Sequence, residues 1–163
     1  MSLPPFDWSR WTPTMLATLL FVRRGDELLL IRKKRGLGAG KINAPGGRIE
    51  PGETPAACAV REVEEELGVT ARGVEERGEL SFQFVDGLAL HVRVFVATEF
   101  SGVPTETDEA IPLWTPVSDI PYEQMWADDA VWLPHLLAGR RFALRARFDG
   151  DLMLEHELDV HPS

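Results

Sequence analysis

The chain of 163 residues carries a single cysteine, Cys58. No internal disulfide can form, and zinc sites built from cysteine pairs are excluded. A lone thiol suits a reducing compartment, so the expected location is cytoplasmic. Basic residues are the minority, with 17 Lys and Arg against 26 Asp and Glu and a formal net charge of -9 at pH 7. That balance argues against a protein that coats long nucleic acid through its phosphates, while a small anion held through a metal ion stays compatible. Long apolar runs are missing too. The longest, residues 15–22, is interrupted by Thr18 and falls far short of the roughly 20 residues that span a bilayer, so no membrane helix is expected. Residues 1–13 include three prolines and lack the charged and apolar regions of a signal peptide, so they read as a short surface extension.

What is present describes an ordinary globular domain over residues 14–163, 44% of the whole chain being hydrophobic and 26% charged. Two β-type runs between Thr14 and Lys34 flank Arg24-Gly25-Asp26 and predict a hairpin, followed by a glycine-punctuated loop over 36–40. Residues 54–67 predict a helix, with Thr54 as cap, Pro55 in the first turn and Gly68 at its end. Alternation from Glu79 to Phe100 around Asp86-Gly87 predicts a second hairpin. The proline-rich stretch 101–122 reads as a long connection with one short strand over 113–115, and residues 122–137, rich in aromatic and aliphatic residues, are expected to contain a second helix. A last hairpin is expected over 140–148 and 152–158. This order suggests an α+β domain with helices packed on a mixed sheet. Trp8 and Trp11, in the extension, are expected to be buried.

The chemistry concentrates in residues 46–69. A helix turns about 100° per residue, so Glu62 and Glu66 lie about 40° apart on one face with Glu65 close beside them. Three carboxylates then point one way, while Ala56, Ala59, Val60, Val63 and Leu67 form the adjoining face that packs on the sheet. Carboxylates at i and i+4 repel, and a bound divalent cation reverses that sign. Oxygen ligands without Cys or His point to Mg²⁺, with Mn²⁺ as a substitute. An isolated acidic tract reads as solvated surface instead.

The full spacing decides between these readings. From Gly47 there are five residues to Glu53, seven more to Arg61-Glu62, then Val63, Glu64, Glu65-Glu66, Leu67, Gly68 and Val69. This matches the Nudix box, GX5EX7REUXEEXGU with U aliphatic, at all nine specified positions. The sequence therefore resembles the Nudix hydrolases, and the resemblance implies an α/β/α sandwich around a mixed sheet. It also implies hydrolysis of a nucleoside diphosphate linked to another group, with metal ligands at Gly46 (through its carbonyl), Glu62, Glu65 and Glu66. Glu53 and Arg61 match the pair that braces the loop against the helix.

The likeness runs from about Thr18 to Leu158 toward MutT-like members, in particular the mammalian homologue that degrades oxidised purine nucleoside triphosphates. It is carried by KKRGLGAGKIN (33–43), FQFVDG (82–87), TDE (107–109) and MWADDAVWLPHLL (125–137). It implies a purine pocket from Thr18, Asn43, Phe82, Phe84, Trp126, Asp128 and Asp129, Trp132 behind Trp126, Lys33 near the phosphates, and Glu109 as a further metal ligand or base. Flat apolar rings suit a stacked base, and adjacent carboxyls raise one another's pKa, so one can donate as well as accept. The chain departs from that relative at Leu37, Ile42, Pro45, Leu90 and Ala110, positions that bear on pocket volume. His91, His135, His156 and His161 show no ligand spacing.

The expected activity is a Mg²⁺-dependent pyrophosphohydrolase that releases nucleoside monophosphate and pyrophosphate from 8-oxo-dGTP or 2-hydroxy-dATP, with Glu62 or Glu109 as base. The alternatives are a Nudix hydrolase of a dinucleoside polyphosphate, nucleotide sugar or RNA 5' end, and a nucleotide sensor without turnover. A monomer acting on a small nucleotide, with no long nucleic acid or membrane partner, completes the expectation.

Overall fold

Thr54 opens the acidic helix as expected: its hydroxyl accepts from the Ala57 N–H at 3.1 Å, and Pro55 occupies the first turn. The helix, α1 (Pro55–Leu67), stops at Gly68, whose φ of 72° places it in the left-handed region that glycine adopts without strain. These features come from a computed structural model that describes residues 6–162.

The first hairpin pairs β1 (Met15–Arg24) with β2 (Glu27–Lys33), and Gly25 turns the chain at φ 58°. Short strands β3 (Ile42–Asn43) and β4 (Gly46–Arg48) precede α1, and β5 (Thr70–Arg72) follows it. The second hairpin, β6 (Glu75–Phe84) and β7 (Ala89–Ala97), turns at Asp86-Gly87 and leads to β8 (Glu99–Ser101). Next come β9 (Ala110–Pro116), α2 (Asp129–Leu137) and the closing hairpin of β10 (Arg141–Asp149) and β11 (Leu152–His161).

One nine-stranded sheet runs β11-β10-β6-β7-β1-β2-β3, with β4 joined to β1 and β9 to β2; β5 and β8 pair separately. The β1–β7 and β10–β6 pairs are parallel and the other pairs antiparallel, so the sheet is mixed. Side-chain alternation along β1 separates two cores. Leu20 and Val22 meet Ala59, Val63 and Leu67 of α1, whereas Phe21 meets Trp132, Leu133 and Leu136 of α2. The expected α/β/α sandwich is therefore present.

Several expectations need correction. The strand expected over 113–115 extends over all of β9, because seven residues pair with β2 and Pro112 and Pro116 are tolerated at a sheet edge. The helix expected within residues 122–137 is present and occupies Asp129–Leu137. Tyr122–Gln124 form only a 3₁₀ turn, since seating Met125 in the core and Trp126 against the cavity described below interrupts the winding. Val60 of α1 is only half-buried, and Cys58 takes a buried place instead. Trp8 and Trp11 are half-buried rather than buried, with the Trp11 indole N–H donating to Gln83 at 2.9 Å. Residues 1–5 of the extension lie outside the described residues. No helix among the described residues is long and apolar enough to cross a membrane.

Candidate active site

Two neighbouring features share the strand β4. On one side of it is a cavity of about 390 Å³, and on the other lie the carboxylates of α1. Gly46 and Gly47 are the partition. A Cβ on Gly46 would stand 1.9 Å from the Thr18 carbonyl oxygen, and one on Gly47 would stand 2.4 Å from the Glu62 carboxyl carbon. A side chain at Gly46 would clash with backbone, and one at Gly47 would displace the Glu62 carboxylate.

Arg61 sets the orientation of α1. Its guanidinium donates to both carboxylate oxygens of Glu53, at 2.6 and 2.9 Å, and to the Arg48 carbonyl at 3.0 Å. It also reaches Glu62 at 2.9 Å and Glu65 at 3.2 Å. The guanidinium beside it holds the Glu53 carboxyl down at about 2. Glu53 and Arg61 thus brace the loop against the helix.

Glu62, Glu66 and Glu109 each offer a carboxylate oxygen within 4.8 Å of the others. Burial raises the Glu62 carboxyl and pushes that of Glu66 up to about 8, the latter helped by the charges of Glu62 and Glu109. Glu66 is 4% exposed, and its Oε2 has no hydrogen-bond partner. Three converging acids with an orphaned buried oxygen, all hard oxygen donors, fit a divalent cation. Glu65 does not join them. It lies at the exposed side of α1 in the i,i+4 pair with Arg61, so the third acid of the cluster comes from the loop before β9 instead. Gly46 stands beside the cluster, and its backbone N–H opposes the rise at Glu66.

The cavity is walled by aromatic rings. Phe82 and Phe84 from β6, Trp126 and Phe148 line it, with Phe84 and Phe148 stacked at 5.5 Å and Trp126 edge-on to Phe148 at 5.6 Å. Asn43 lines it too; its side-chain oxygen accepts from the Ala44 N–H at 2.8 Å, which leaves the amide NH₂ free to donate. Asp128 and Asp129 are buried at the wall. Burial raises both carboxyls; the Trp132 indole N–H, donating to Asp128 at 2.7 Å, opposes the rise there, and the charge of Asp128 lifts Asp129 further. Asp129 Oδ2 has no partner. Burial and the charge of Asp128 both favour the protonated form of Asp129. Trp132 is fully buried and stacked on Phe142 at 5.1 Å, behind the cavity as expected.

Thr18 is among the residues that line the cavity. It sits on the face of β1 turned toward α1, where its hydroxyl meets Cys58 Sγ at 3.3 Å. Burial raises the Cys58 thiol, in keeping with packing rather than nucleophilic use. Lys33 lines the cavity mouth but donates to the Leu37 carbonyl at 2.7 Å. Leu37 and Leu90 line the cavity, whereas Ile42 and Ala110 belong to the two cores.

A family model of the NUDIX domain matches residues 13–136. The chain belongs to the Nudix family. It is 42% identical over 146 residues to the oxidized purine nucleoside triphosphate hydrolase of Danio rerio, covering 88% of this chain and 94% of that one. The protein of the same name from Mus musculus is 39% identical over 145 residues, with 88% and 93% covered. Among solved structures, the mutator MutT protein of Bacillus halodurans superposes with a TM-score of 0.80 at 28% identity, covering 89% of this chain and 97% of that one.

Four further residues of this Nudix protein escaped the sequence reading as parts of the site. Phe148 completes the aromatic wall, and Met15 reaches the cavity from the start of β1. Both carry a weak signal, an inward position at one end of an alternating strand. Arg35 pairs with Glu109 at 3.2 Å, and Lys41 lies 5.2 Å from the Trp126 ring centre. Only the fold brings those pairs together.

Proposed function

We propose that this Nudix protein hydrolyses nucleoside triphosphates to nucleoside monophosphate and pyrophosphate, with Mg²⁺ as the cation and oxidised purine nucleotides such as 8-oxo-dGTP and 2-hydroxy-dATP as favoured substrates. The observation that carries the reading is the partition at Gly46-Gly47, with a purine-sized aromatic cavity on one side and an oxygen-only carboxylate cluster on the other. The names of the Danio rerio and Mus musculus relatives support the substrate class.

In this reading Trp126, Phe82 and Phe84 stack on the base, Asn43 and Asp128 bond its edge, and protonated Asp129 donates to an acceptor on it. A carboxyl pair with one proton can serve purines that present different edges. Glu62, Glu66 and Glu109, with the Gly46 carbonyl, would hold the cation, which when bound neutralises phosphate charge and lowers the pKa of the attacking water. Glu62 or Glu109 takes the proton of that water. Glu65 steers the cation electrostatically from outside the cluster, and Lys33 turns from Leu37 to the phosphates. Thr18 fixes the cavity wall through Cys58. The protein acts as a cytoplasmic monomer, consistent with its one buried thiol.

The test is kcat/KM for 8-oxo-dGTP against dGTP in one Mg²⁺ buffer, with products separated by chromatography. A preference of at least tenfold, about 1.4 kcal/mol of transition-state discrimination, is expected, with monophosphate and pyrophosphate as products. Equal rates, or cleavage at another phosphate, would move the substrate to another nucleoside diphosphate derivative. Tight binding without any product would instead mark a sensor.

A further inference from the structure

The C-terminal turn of α1 leaves carbonyl groups without partners inside the helix, and something must satisfy them. The Gly68 N–H bonds the Glu64 carbonyl at 2.9 Å. The next carbonyls are met by the connection that precedes β9. Thr105 N–H donates to the Leu67 carbonyl at 2.9 Å, and the Thr107 hydroxyl donates to the Glu66 carbonyl at 2.7 Å. That same hydroxyl accepts from the Glu109 N–H at 3.2 Å. One oxygen therefore joins the backbones of two acids whose side chains converge on a single point. The Thr107 N–H donates to the Ala110 carbonyl at 3.0 Å and the Lys34 N–H to the Glu109 carbonyl at 3.0 Å, which closes the loop around Glu109.

We propose that Thr107 is a positioning residue for the cation site, its hydroxyl setting Glu109 opposite Glu62 and Glu66. The proposal rests on the reading of these three carboxylates as a cation site. Arg35 also touches Glu109, but its side chain is 65% exposed, and an ion pair so open to water contributes little to position. Thr107 is partly buried and bonded on both sides. A group that orients ligands without touching the cation changes cation affinity by roughly 10- to 100-fold when removed. The chemistry required is small. Valine has the same shape as threonine but lacks the oxygen, and serine keeps the oxygen but lacks the methyl group.

The experiment titrates Mn²⁺ into the full-length protein without nucleotide and follows free Mn²⁺ by electron paramagnetic resonance. Wild type binds, and Glu62→Gln weakens binding strongly. Thr107→Val raises the Kd for Mn²⁺ by about 10-fold or more, while Thr107→Ser stays within about threefold of wild type. In a Glu109→Gln background Thr107→Val adds little, because the ligand it positions is already lost. Thr107→Ala repeats the comparison where the valine variant does not fold. Wild-type affinity in a folded Thr107→Val or Thr107→Ala protein overturns the proposal. So does a serine variant as weak as the valine one, an undiminished valine effect on Glu109→Gln, or a serine variant that folds where neither alanine nor valine does, since the hydroxyl then serves the fold alone. Absence of Mn²⁺ binding by wild type overturns the cation site itself. Binding lost in Glu62→Gln but retained in Thr107→Val overturns the positioning role only.

Discussion

Arg61 and Glu53 meet in a two-point ion pair, Nε to Oε2 at 2.6 Å and Nη2 to Oε1 at 2.9 Å. The contact ties the loop after β4 to the helix that presents Glu62 and Glu66. It also holds the Glu53 carboxyl at about 2, below its ordinary 4.5. A carboxyl lowered on folding stabilises the protein above its unfolded value, and that contribution disappears as pH falls from about 4.5 toward 2. The difference in Tm between wild type and Glu53→Gln is expected to narrow between about pH 6 and pH 3. A difference that stays constant across that window would mean that the ion pair is not formed in solution.

Glu66 has the opposite sign. Its carboxyl is raised to about 8 by burial and by the neighbouring acids, so folding favours the protonated form. Without a divalent cation, its contribution to stability is complete below the ordinary 4.5 and is lost as pH rises through about 8. Thermal unfolding in EDTA is expected to show a falling Tm from about pH 5 to pH 8, with Glu66→Gln flattening the slope. Excess Mg²⁺ should raise the Tm more at the upper end, since a ligand that binds only the folded state stabilises it. Equal Mg²⁺ effects at both ends would contradict this.

Gly46 and Gly47 predict two different failures. In Gly46→Ala the new Cβ meets the backbone carbonyl of Thr18, which no rotation relieves, so a cost of about 3 kcal/mol is expected in urea unfolding. In Gly47→Ala the Cβ meets the Glu62 carboxylate, which can swing aside. Stability is then expected to change little, while kcat drops by roughly 100-fold because Glu62, proposed above as a cation ligand, is displaced. The pairing of a stable fold with lost turnover separates the second variant from the first.

The two tryptophans near the cavity are expected to behave differently. Trp126→Ala removes a stacking face, so kcat/KM for a purine nucleotide falls by about 10- to 100-fold, in line with roughly 1–3 kcal/mol per stacked base. Trp132→Phe keeps the ring in the core but removes the N–H that Asp128 accepts. An orphaned buried carboxylate costs about 1–3 kcal/mol, which chemical denaturation would detect. A Trp126→Ala enzyme with unchanged kcat/KM would remove that side chain from base recognition.

Much of this was legible along the chain because the interactions are local. The cap at Thr54, the stop at Gly68, the turns at Gly25 and Gly87 and the shared face of Glu62 and Glu66 depend on residues a few positions apart. Proline content hid β9, since its pairing with β2 is a long-range gain that local propensity does not register. Composition placed a helix within residues 122–137 but not its start at Asp129, because the burial of Met125 that keeps the chain extended there is a tertiary effect.

The sequence by itself determined the braced acidic helix, because an α-helix converts spacing into direction through a fixed turn per residue. It also carried the family and the aromatic and acidic residues of the cavity. The resemblance named both Glu65 and Glu109, and only the tertiary structure decided which of the two completes the cluster. Glu65 is adjacent in the helix yet turns out to Arg61, while Glu109, 43 residues beyond Glu66, arrives through Thr107 and the carbonyls of α1. The same holds for Thr18, whose side of β1 is set by strand pairing. Such choices depend on which surfaces the sheet brings together, and spacing along a chain carries no record of them.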